Sequence, residues 1–310
     1  MSNLFSHILV GVDDSEASQT AVLFATQLAR EHGSRLVLCH SVNWTPVLTQ
    51  IAASGAIVDT VSVVEELKAA GEVLLDQAVA AAKHGGVDAE RRAVEGEPAQ
   101  SLLEAAVQSG CSLIVMGTHG RQGLAHLFVG STTEAVLRGS IIPVLTLHAG
   151  TVVVAPGERC IERIIAGIDE SEPSDAAIQT ILDLPGKDRL HVIFYSIAGM
   201  GEREHERAHQ AVSKAVRLAN ERGISARGRV NVGDPAEALI AAAEQQEADL
   251  IVVGSHGRHG LERLVLGSVA EGIVQRSPLP VLVVRTRQAV AVVQKVRAAA
   301  NRVAPETSPA

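Results

Sequence analysis

The chain has 310 residues, about twice the usual length of one domain of roughly 150 residues, so two domains are expected. Hydrophobic residues make up 46% of it and charged residues 20%, a globular composition that excludes a mainly disordered chain. The formal net charge is −8 and no run of Lys or Arg occurs, so nucleic acid is not an expected partner.

Short apolar runs alternate with longer amphipathic segments through the first half of the chain. The apolar runs predict strands over 8–12, 35–42, 90–95, 113–116 and 144–147. The amphipathic segments predict helices over 15–33, 64–84, 98–109 and 131–138. Ser15 is a predicted N-cap and Pro98 a predicted first helical residue. Short Val, Ile and Leu runs separated by helices are typical of βαβ units, so a parallel sheet is expected.

The second half of the chain repeats the first. Residues 86–145 align without a gap on 223–282, and 7–15 resemble 163–171. Ser171 and Pro235 repeat the helix-start signals of Ser15 and Pro98. Between these anchors the second copy is 19 residues shorter. The stretch that it lacks lies near 43–66, which is predicted to be a loop or an irregular segment peculiar to the first copy.

The repeat predicts two tandem α/β domains, each with a five-stranded parallel sheet. The predicted bounds are 1–148 for the first domain, 149–159 for a linker, 160–286 for the second domain and 287–310 for a C-terminal tail. The tail is expected to be a short Ala-rich helix that fades into disorder.

A glycine pattern follows the fourth predicted strand of each copy. It consists of Gly117-x-x-Gly120, nine residues and Gly130-Ser131 in the first copy, and of Gly254-x-x-Gly257, nine residues and Gly267-Ser268 in the second. Glycines at the carboxyl end of a parallel strand let N–H groups approach a phosphate, and a helix start adds its positive dipole end. The alternative is that Ser131 with Glu134 is only a capping box that begins a helix, as Ser268 with Glu271 would be.

One aspartate in each copy is expected at the same edge of the sheet. Asp13 and Asp169 come directly after the first strand of their copies. A carboxylate there could accept a hydrogen bond from an adenine amino group or a ribose hydroxyl. Trp44 and Tyr195 are the only Trp and Tyr, and neither is an obvious stacking partner, so a bound base is expected to rest between aliphatic side chains.

At these residues the sequence resembles the universal stress proteins, in a tandem form. The resemblance covers about 5–148 and 160–285 and rests on the openings V-G-V-D-D-S and A-G-I-D-E-S and on the repeated glycine pattern. That pattern is similar to the signature of the ATP-binding branch of the family. The resemblance implies two tandem Rossmann-like domains of the adenine nucleotide alpha hydrolase-like type.

The resemblance also implies a ligand, which is ATP with Mg²⁺ as an optional companion ion. Its implied contacts are Asp13 and Asp169 at the adenine, Gly117, Gly120, Gly254 and Gly257 in the phosphate loops, and Gly130, Ser131, Gly267 and Ser268 at the phosphates. Thr132 adds a hydroxyl in the first copy where the second has Val269. The stretch 43–66 is expected to cover only the first pocket, so two sites of unequal affinity are expected.

The implied function is nucleotide-dependent regulation of a stress response, with little or no ATP hydrolysis. No G-x-x-x-x-G-K-[ST] loop and no G-x-S-x-G elbow occurs in the sequence. Two alternatives stay open: a slow ATP hydrolase or other nucleotide-using enzyme on the same fold, and an interaction scaffold with vestigial pockets. No catalytic residue is assigned. His119 and His256 hold equal places in the two glycine loops, without a familiar metal spacing around them.

The family resemblance and the sequence composition also predict the partners and the cellular compartment. Family members pair through their last strand, so 144–147 and 281–284 are expected to form an internal pseudo-dimer. A homodimer and an unknown protein partner stay open. No signal peptide is expected at the N-terminus, and the apolar window 141–154 is too short and too interrupted for a bilayer, which argues against a membrane protein. Widely spaced cysteines favour a reducing, cytoplasmic setting.

Overall fold

A computed structural model describes residues 3–118, 129–153, 158–256 and 266–285. The strands within these ranges are β1 (His7–Gly11), β2 (Arg35–Val42), β3 (Ala89–Glu95), β4 (Leu113–Gly117), β5 (Val144–Leu147), β6 (Arg163–Gly167), β7 (His191–Ile197), β8 (Ser225–Asn231), β9 (Leu250–Gly254) and β10 (Val281–Val284). The helices are α1 (Glu16–His32), α2 (Thr45–Ser54), α3 (Thr60–His84), α4 (Pro98–Gln108), α5 (Ser131–Gly139), α6 (Glu172–Leu182), α7 (Glu202–Glu221), α8 (Pro235–Gln245) and α9 (Ser268–Arg276).

The strands form one ten-stranded sheet in the order β3-β2-β1-β4-β5-β10-β9-β6-β7-β8. Neighbours within each domain are parallel, as in β1–β2 and β6–β7. The domains meet where β5 and β10 pair antiparallel, with Leu145 opposite Leu282. The predicted α/β class with parallel sheets is confirmed, and so is the predicted pairing of the two last strands.

Alternation along the strands divides the core into two layers. Ile8 and Val10 face the layer that contains α1 and α3, whereas Leu9 faces the layer of α4 and α5. Because both faces of β1 are covered, all five of its residues are buried. This explains why the strands are almost continuous apolar runs built from Val, Ile and Leu.

The predicted helix-start signals are confirmed. The Ser15 hydroxyl accepts from the Ser18 N–H at 3.1 Å and caps α1. The Ser171 hydroxyl caps α6 in the same way. Pro98 and Pro235 are the first residues of α4 and α8, where a missing N–H costs no helical hydrogen bond.

The expectation of an irregular segment over 43–66 is wrong. The stretch contains all of α2 and the first turns of α3, which begins at Thr60 rather than near residue 64. The Asp59 carboxylate caps α3 by accepting from the N–H groups of Val61 and Ser62. No residue of α2 is buried, so the amphipathic pattern that reveals a packed helix is missing there. The tail 287–310 and Gly120 and Gly257 lie outside the described residues.

Candidate functional site

Each domain has a cavity at the carboxyl ends of its strands. The first has a volume of about 930 Å³ and opens beside the ends of β1, β2 and β4. The second, of about 630 Å³, opens beside β6, β7 and β9. Both volumes lie within the range of roughly 300–1,000 Å³ that is common for small-molecule sites. Ligands of open α/β sheets bind at this edge.

The residues predicted from the two sequence motifs line these cavities. Those at the first cavity are Asp13, Gly117, Gly130, Ser131 and Thr132. Those at the second are Asp169, Gly254, Gly267 and Ser268. Residues that are distant in sequence thus meet around one cavity, because the sheet order places β1 beside β4 and β6 beside β9.

A closed set of hydrogen bonds fixes Asp13 at the edge of the first cavity. Its Oδ1 accepts from the Ser15 N–H at 2.9 Å and from the Ser15 hydroxyl at 2.5 Å. The Asp13 N–H donates to the Ser18 hydroxyl at 2.9 Å. Since Ser15 caps α1, one network joins the carboxylate to the helix start and limits the rotamers it can adopt.

Asp169 repeats this arrangement at the second cavity. Its Oδ1 accepts from the Ser171 N–H at 2.9 Å and from the Ser171 hydroxyl. Its own N–H donates to the Ser174 hydroxyl at 2.8 Å. The acidic position that the sequence singled out is therefore held in the same way in both domains.

The first glycine of each loop has a packing reason. A Cβ on Gly117 would lie 2.7 Å from the backbone carbon of Ala17 in α1. A Cβ on Gly254 would lie 2.7 Å from Cβ of Pro173 in α6. The strand end therefore touches the start of the neighbouring helix, and only glycine fits at this contact. These two glycines are explained by the fold, whether or not a ligand binds beside them.

The capping-box interpretation of Ser131 and Ser268 is wrong. The N-caps of α5 and α9 are Gly130 and Gly267, and no side chain of the described part of the chain caps either helix. Ser131 and Ser268 are the first helical residues and are exposed at the cavities. The amides of the first turns therefore have no side-chain acceptor there, which is the arrangement that favours an anion.

Helix α3 covers the first cavity. Leu67, Ala70 and Leu74 line it from this helix, downstream of the stretch predicted to act as the cover. Gly71 lets the helix approach the sheet closely, because a Cβ there would lie 2.7 Å from Cδ2 of His40. His40 is buried, and its Nδ1 lies 2.7 Å from the Val12 carbonyl oxygen.

The second cavity has a different cover, which sequence reasoning missed. The buried ring of Tyr195 lines it, and the Tyr195 hydroxyl is hydrogen-bonded to Nδ2 of Asn231 at 2.5 Å. Glu204, near the start of α7, lines it as well, and its carboxylate lies over Gly199 in space that a Cβ would occupy. The position of Tyr195 within an apolar strand indicates only burial, and no local pattern shows that its ring faces a cavity.

The electrostatics of the second loop centre on His256, which lines the second cavity. Burial lowers the pKa of His256, and the nearby Arg285 guanidinium lowers it further, while Glu172 and Asp169 act in the opposite direction. Its Nδ1 lies 3.0 Å from the Ser255 hydroxyl oxygen. The imidazole is therefore held toward its neutral form.

Within the described ranges, no group of three or more His, Cys, Asp or Glu side chains is arranged to hold a metal ion. No helix among them has the length and apolar character needed to cross a bilayer.

The fold and its paired cavities define a tandem α/β protein with two like sites at the carboxyl ends of its strands. The profile of the universal stress protein family matches residues 4–148 and 161–285. The chain therefore belongs to the universal stress protein family, as the sequence motifs predicted, and carries two such domains in tandem.

Similar proteins of the same length support this assignment. A universal stress protein of Mycolicibacterium smegmatis is 30% identical over 296 residues, which covers 90% of this chain and 97% of the relative. One of Mycobacterium tuberculosis is 27% identical over 303 residues, covering 90% and 96%. The crystal structure of a universal stress protein from Archaeoglobus fulgidus matches with a TM-score of 0.72 over 92% of this chain and 98% of that one, at 22% identity, which supports the fold.

Proposed function

We propose that the protein is a nucleotide-dependent regulator of a stress response that binds ATP in each domain and hydrolyses it slowly or not at all. One observation carries the proposal: the same aspartate, glycine and Gly-Ser pair line both cavities. Packing explains Gly117 and Gly254, but it does not explain exposed serines at two matching helix starts that lack a side-chain cap. A bound phosphate whose oxygens accept hydrogen bonds at the helix starts explains both the exposed serines and the lack of a side-chain cap.

The chemistry of the cavity suits an adenine nucleotide. The first-turn amides of α5 and α9, which no side chain of the described residues caps, and the positive dipole ends of these helices stabilise phosphate oxygens. The Asp13 and Asp169 carboxylates accept hydrogen bonds from the amino group of the base or from ribose hydroxyls. Mg²⁺ bound with the nucleotide would neutralise phosphate charge, and Thr132 offers a hydroxyl for this at the first site.

The proposal includes a cytoplasmic setting. All three cysteines are buried and free. Burial raises the pKa of Cys39 to about 12, that of Cys111 to about 11 and that of Cys160 to about 12. Thiols held in their protonated form are poor nucleophiles and poor partners for disulfide exchange, as suits a protein that keeps its cysteines reduced.

The direct test is mass spectrometry of the ligand released from freshly purified full-length protein, followed by calorimetry with ATP and Mg²⁺. We expect recovery of ATP and binding at two sites. Stabilisation should reach about 2.7 kcal/mol at a ligand concentration about 100-fold above the dissociation constant. An empty protein whose melting temperature does not change with ATP, ADP, AMP or a cyclic nucleotide would refute the proposal.

Matched substitutions assign the sites. Asp13→Asn and Asp169→Asn keep the Oδ1 acceptor that Ser15 and Ser171 require but remove the charge. Each should weaken binding at its own site about 10-fold or more, as expected for a hydrogen bond to a charged group. Asp88→Asn, at an exposed position between α3 and β3, is the control. Sustained ATP turnover that Asp13→Asn abolishes would favour the hydrolase alternative.

A further inference from the structure

The residue that follows the last strand of each domain reaches into the other domain. Arg285 follows β10 and is buried, and its Nη2 donates to the carbonyl oxygen of Leu137 in α5 at 2.9 Å. His148 follows β5, and its Nε2 lies 2.8 Å from the carbonyl oxygen of Val274 in α9. In the alignment of the two copies, His148 corresponds to Arg285 and Leu137 to Val274. The two contacts are therefore reciprocal.

The helices that receive these contacts are the ones that begin at the proposed phosphate sites. The Gly130 N–H before α5 donates to the Thr118 carbonyl at 2.5 Å. The Gly267 N–H before α9 donates to the Ser255 carbonyl at 2.7 Å. Each helix start is thus tied to the glycine loop of its own domain, while the last turns of the helix are tied to the other domain.

His148 also contacts the first glycine loop. Its Nδ1 lies 3.0 Å from the hydroxyl oxygen of Thr118, the residue after β4. Because the Val274 carbonyl only accepts, Nε2 must carry a proton, and the neutral ring then presents Nδ1 as an acceptor to the Thr118 hydroxyl. One imidazole therefore connects the loop of the first site with the helix of the second.

Arg285 has the matching place at the second loop. The Ser255 N–H donates to the carbonyl oxygen of Val284, the residue before Arg285, at 2.8 Å, and the Ser255 hydroxyl is hydrogen-bonded to His256. The guanidinium of Arg285 donates to the Leu137 carbonyl of α5. The second site is thereby connected with the helix of the first, through an arginine in place of a histidine.

We propose that His148 and Arg285 are positioning residues that couple the two nucleotide sites, so that a ligand in one site raises the affinity of the other. The inference rests on the proposed function. From Ser131 to Leu137 the helix spans only about 9 Å at 1.5 Å per residue. Phosphate bound at the start of such a short helix fixes the whole of it. The first ligand orders the helix and loop contacts that the two sites share. The second ligand therefore binds with less loss of conformational entropy in the protein.

The experiment is calorimetric titration of the full chain with ATP, compared with a variant in which one site is disabled. Gly130→Val disables the first site by placing a branched side chain at the N-cap of α5. We expect the second site to bind about 5-fold or more weakly in this variant than in the wild type with the first site filled, in line with common coupling energies.

Three variants then test the named residues. Arg285→Lys keeps a charge and a donor, whereas Arg285→Met keeps only the length of the side chain, so coupling should persist in the first and disappear in the second. His148→Gln retains an amide donor for Val274 but not the ring contact with Thr118, and it should reduce coupling. In all three variants, ATP should still bind at both sites. A purely structural role for these residues would not predict that coupling is lost while both sites still bind.

Thr146→Val is the matched control. The Thr146 hydroxyl donates to the Val281 carbonyl across the same domain interface, at 3.3 Å, a hydrogen bond in which neither partner belongs to α5 or α9. Its loss should leave coupling unchanged. Two independent sites in the wild type, or coupling that Arg285→Met leaves intact, would overturn this inference and leave the proposed function standing. An absence of any nucleotide binding would overturn both.

Discussion

The first and second cavities are built from one repeated sequence, yet their covers differ. The floor, made of strand ends and helix starts, is the same in both, with Asp13 and Asp169 held by equivalent hydrogen bonds. The cover of the first is the middle of α3, and that of the second includes Glu204 near the start of α7. The repeat therefore preserves the edge of the sheet that faces the proposed ligand, whereas the connection after the second strand differs between the two copies.

The second difference lies at the start of α5 and α9, the helices where phosphate is proposed to bind. Thr132 and Thr133 line the first cavity, and the Thr133 hydroxyl donates to the Gly117 carbonyl at 2.6 Å. The second cavity has Val269 and Ala270 at these places. The larger first cavity thus has more hydroxyls, while each cavity is lined by two carboxylates, Asp13 with Asp14 in the first and Asp169 with Glu204 in the second. We expect the first site to bind a triphosphate more tightly than the second.

The largest effect should come from displacing the cover of the first cavity. In Gly71→Val the new side chain meets His40 and Val42 and pushes α3 away from β2. Overpacking of this kind costs about 1–3 kcal/mol of unfolding free energy. Denaturant unfolding should show this loss, and calorimetry should show binding lost at the first site alone.

The control for that substitution is Ala69→Val, two residues earlier on the exposed face of α3. It places the same valine side chain on α3 without the contact with β2. Equal losses in the two variants, or binding lost at both sites after Gly71→Val, would show that α3 is not a separate cover of the first cavity, whereas a weakening of the second site by about 5-fold is the expected effect of lost coupling.

A reciprocal exchange tests the hydroxyl difference. Val269→Thr should strengthen ATP binding at the second site and Thr132→Val should weaken it at the first, each by about 2- to 10-fold, the value of one ordinary hydrogen bond. Calorimetry of the two single variants and of the combined exchange measures this. If the exchange leaves both affinities unchanged, the asymmetry resides in the covers and not in the helix starts.

The smallest effect concerns pH and His256. Because burial and Arg285 lower its pKa below the ordinary value of 6.5, the free protein disfavours the charged ring and loses stability as the pH falls below that value. A bound phosphate beside the ring, acting with Asp169 and Glu172, raises the pKa again. Binding at the second site should therefore take up a proton and tighten between pH 7.5 and 6.

The measurement is the dissociation constant of the second site across this range in the wild type and in His256→Asn. Titration of the nucleotide itself affects both proteins equally, so only the difference between them reports on the ring. Parallel pH profiles would place the ligand away from His256.

Local signals predicted most of the elements well. The strands over 35–42 and 144–147 have the predicted bounds, because strands buried on both faces are continuous apolar runs with abrupt ends. Ser15 was found as a cap because capping chemistry is local. Helix α2 was missed because it buries nothing and so carries no periodic stripe. The capping box at Ser131 failed because a sequence pattern does not reveal which residue takes the first helical conformation.

The amino-acid sequence by itself determined the duplication, the α/β class and the residues of both motifs, since these depend on composition, short-range order and self-similarity. The tertiary structure decided which of these residues contact one another. Only the antiparallel pairing of β5 with β10 brings His148 to Val274 and Arg285 to Leu137. These contacts span well over a hundred residues, and no local pattern encodes them, because they arise where the sheets of the two domains join edge to edge.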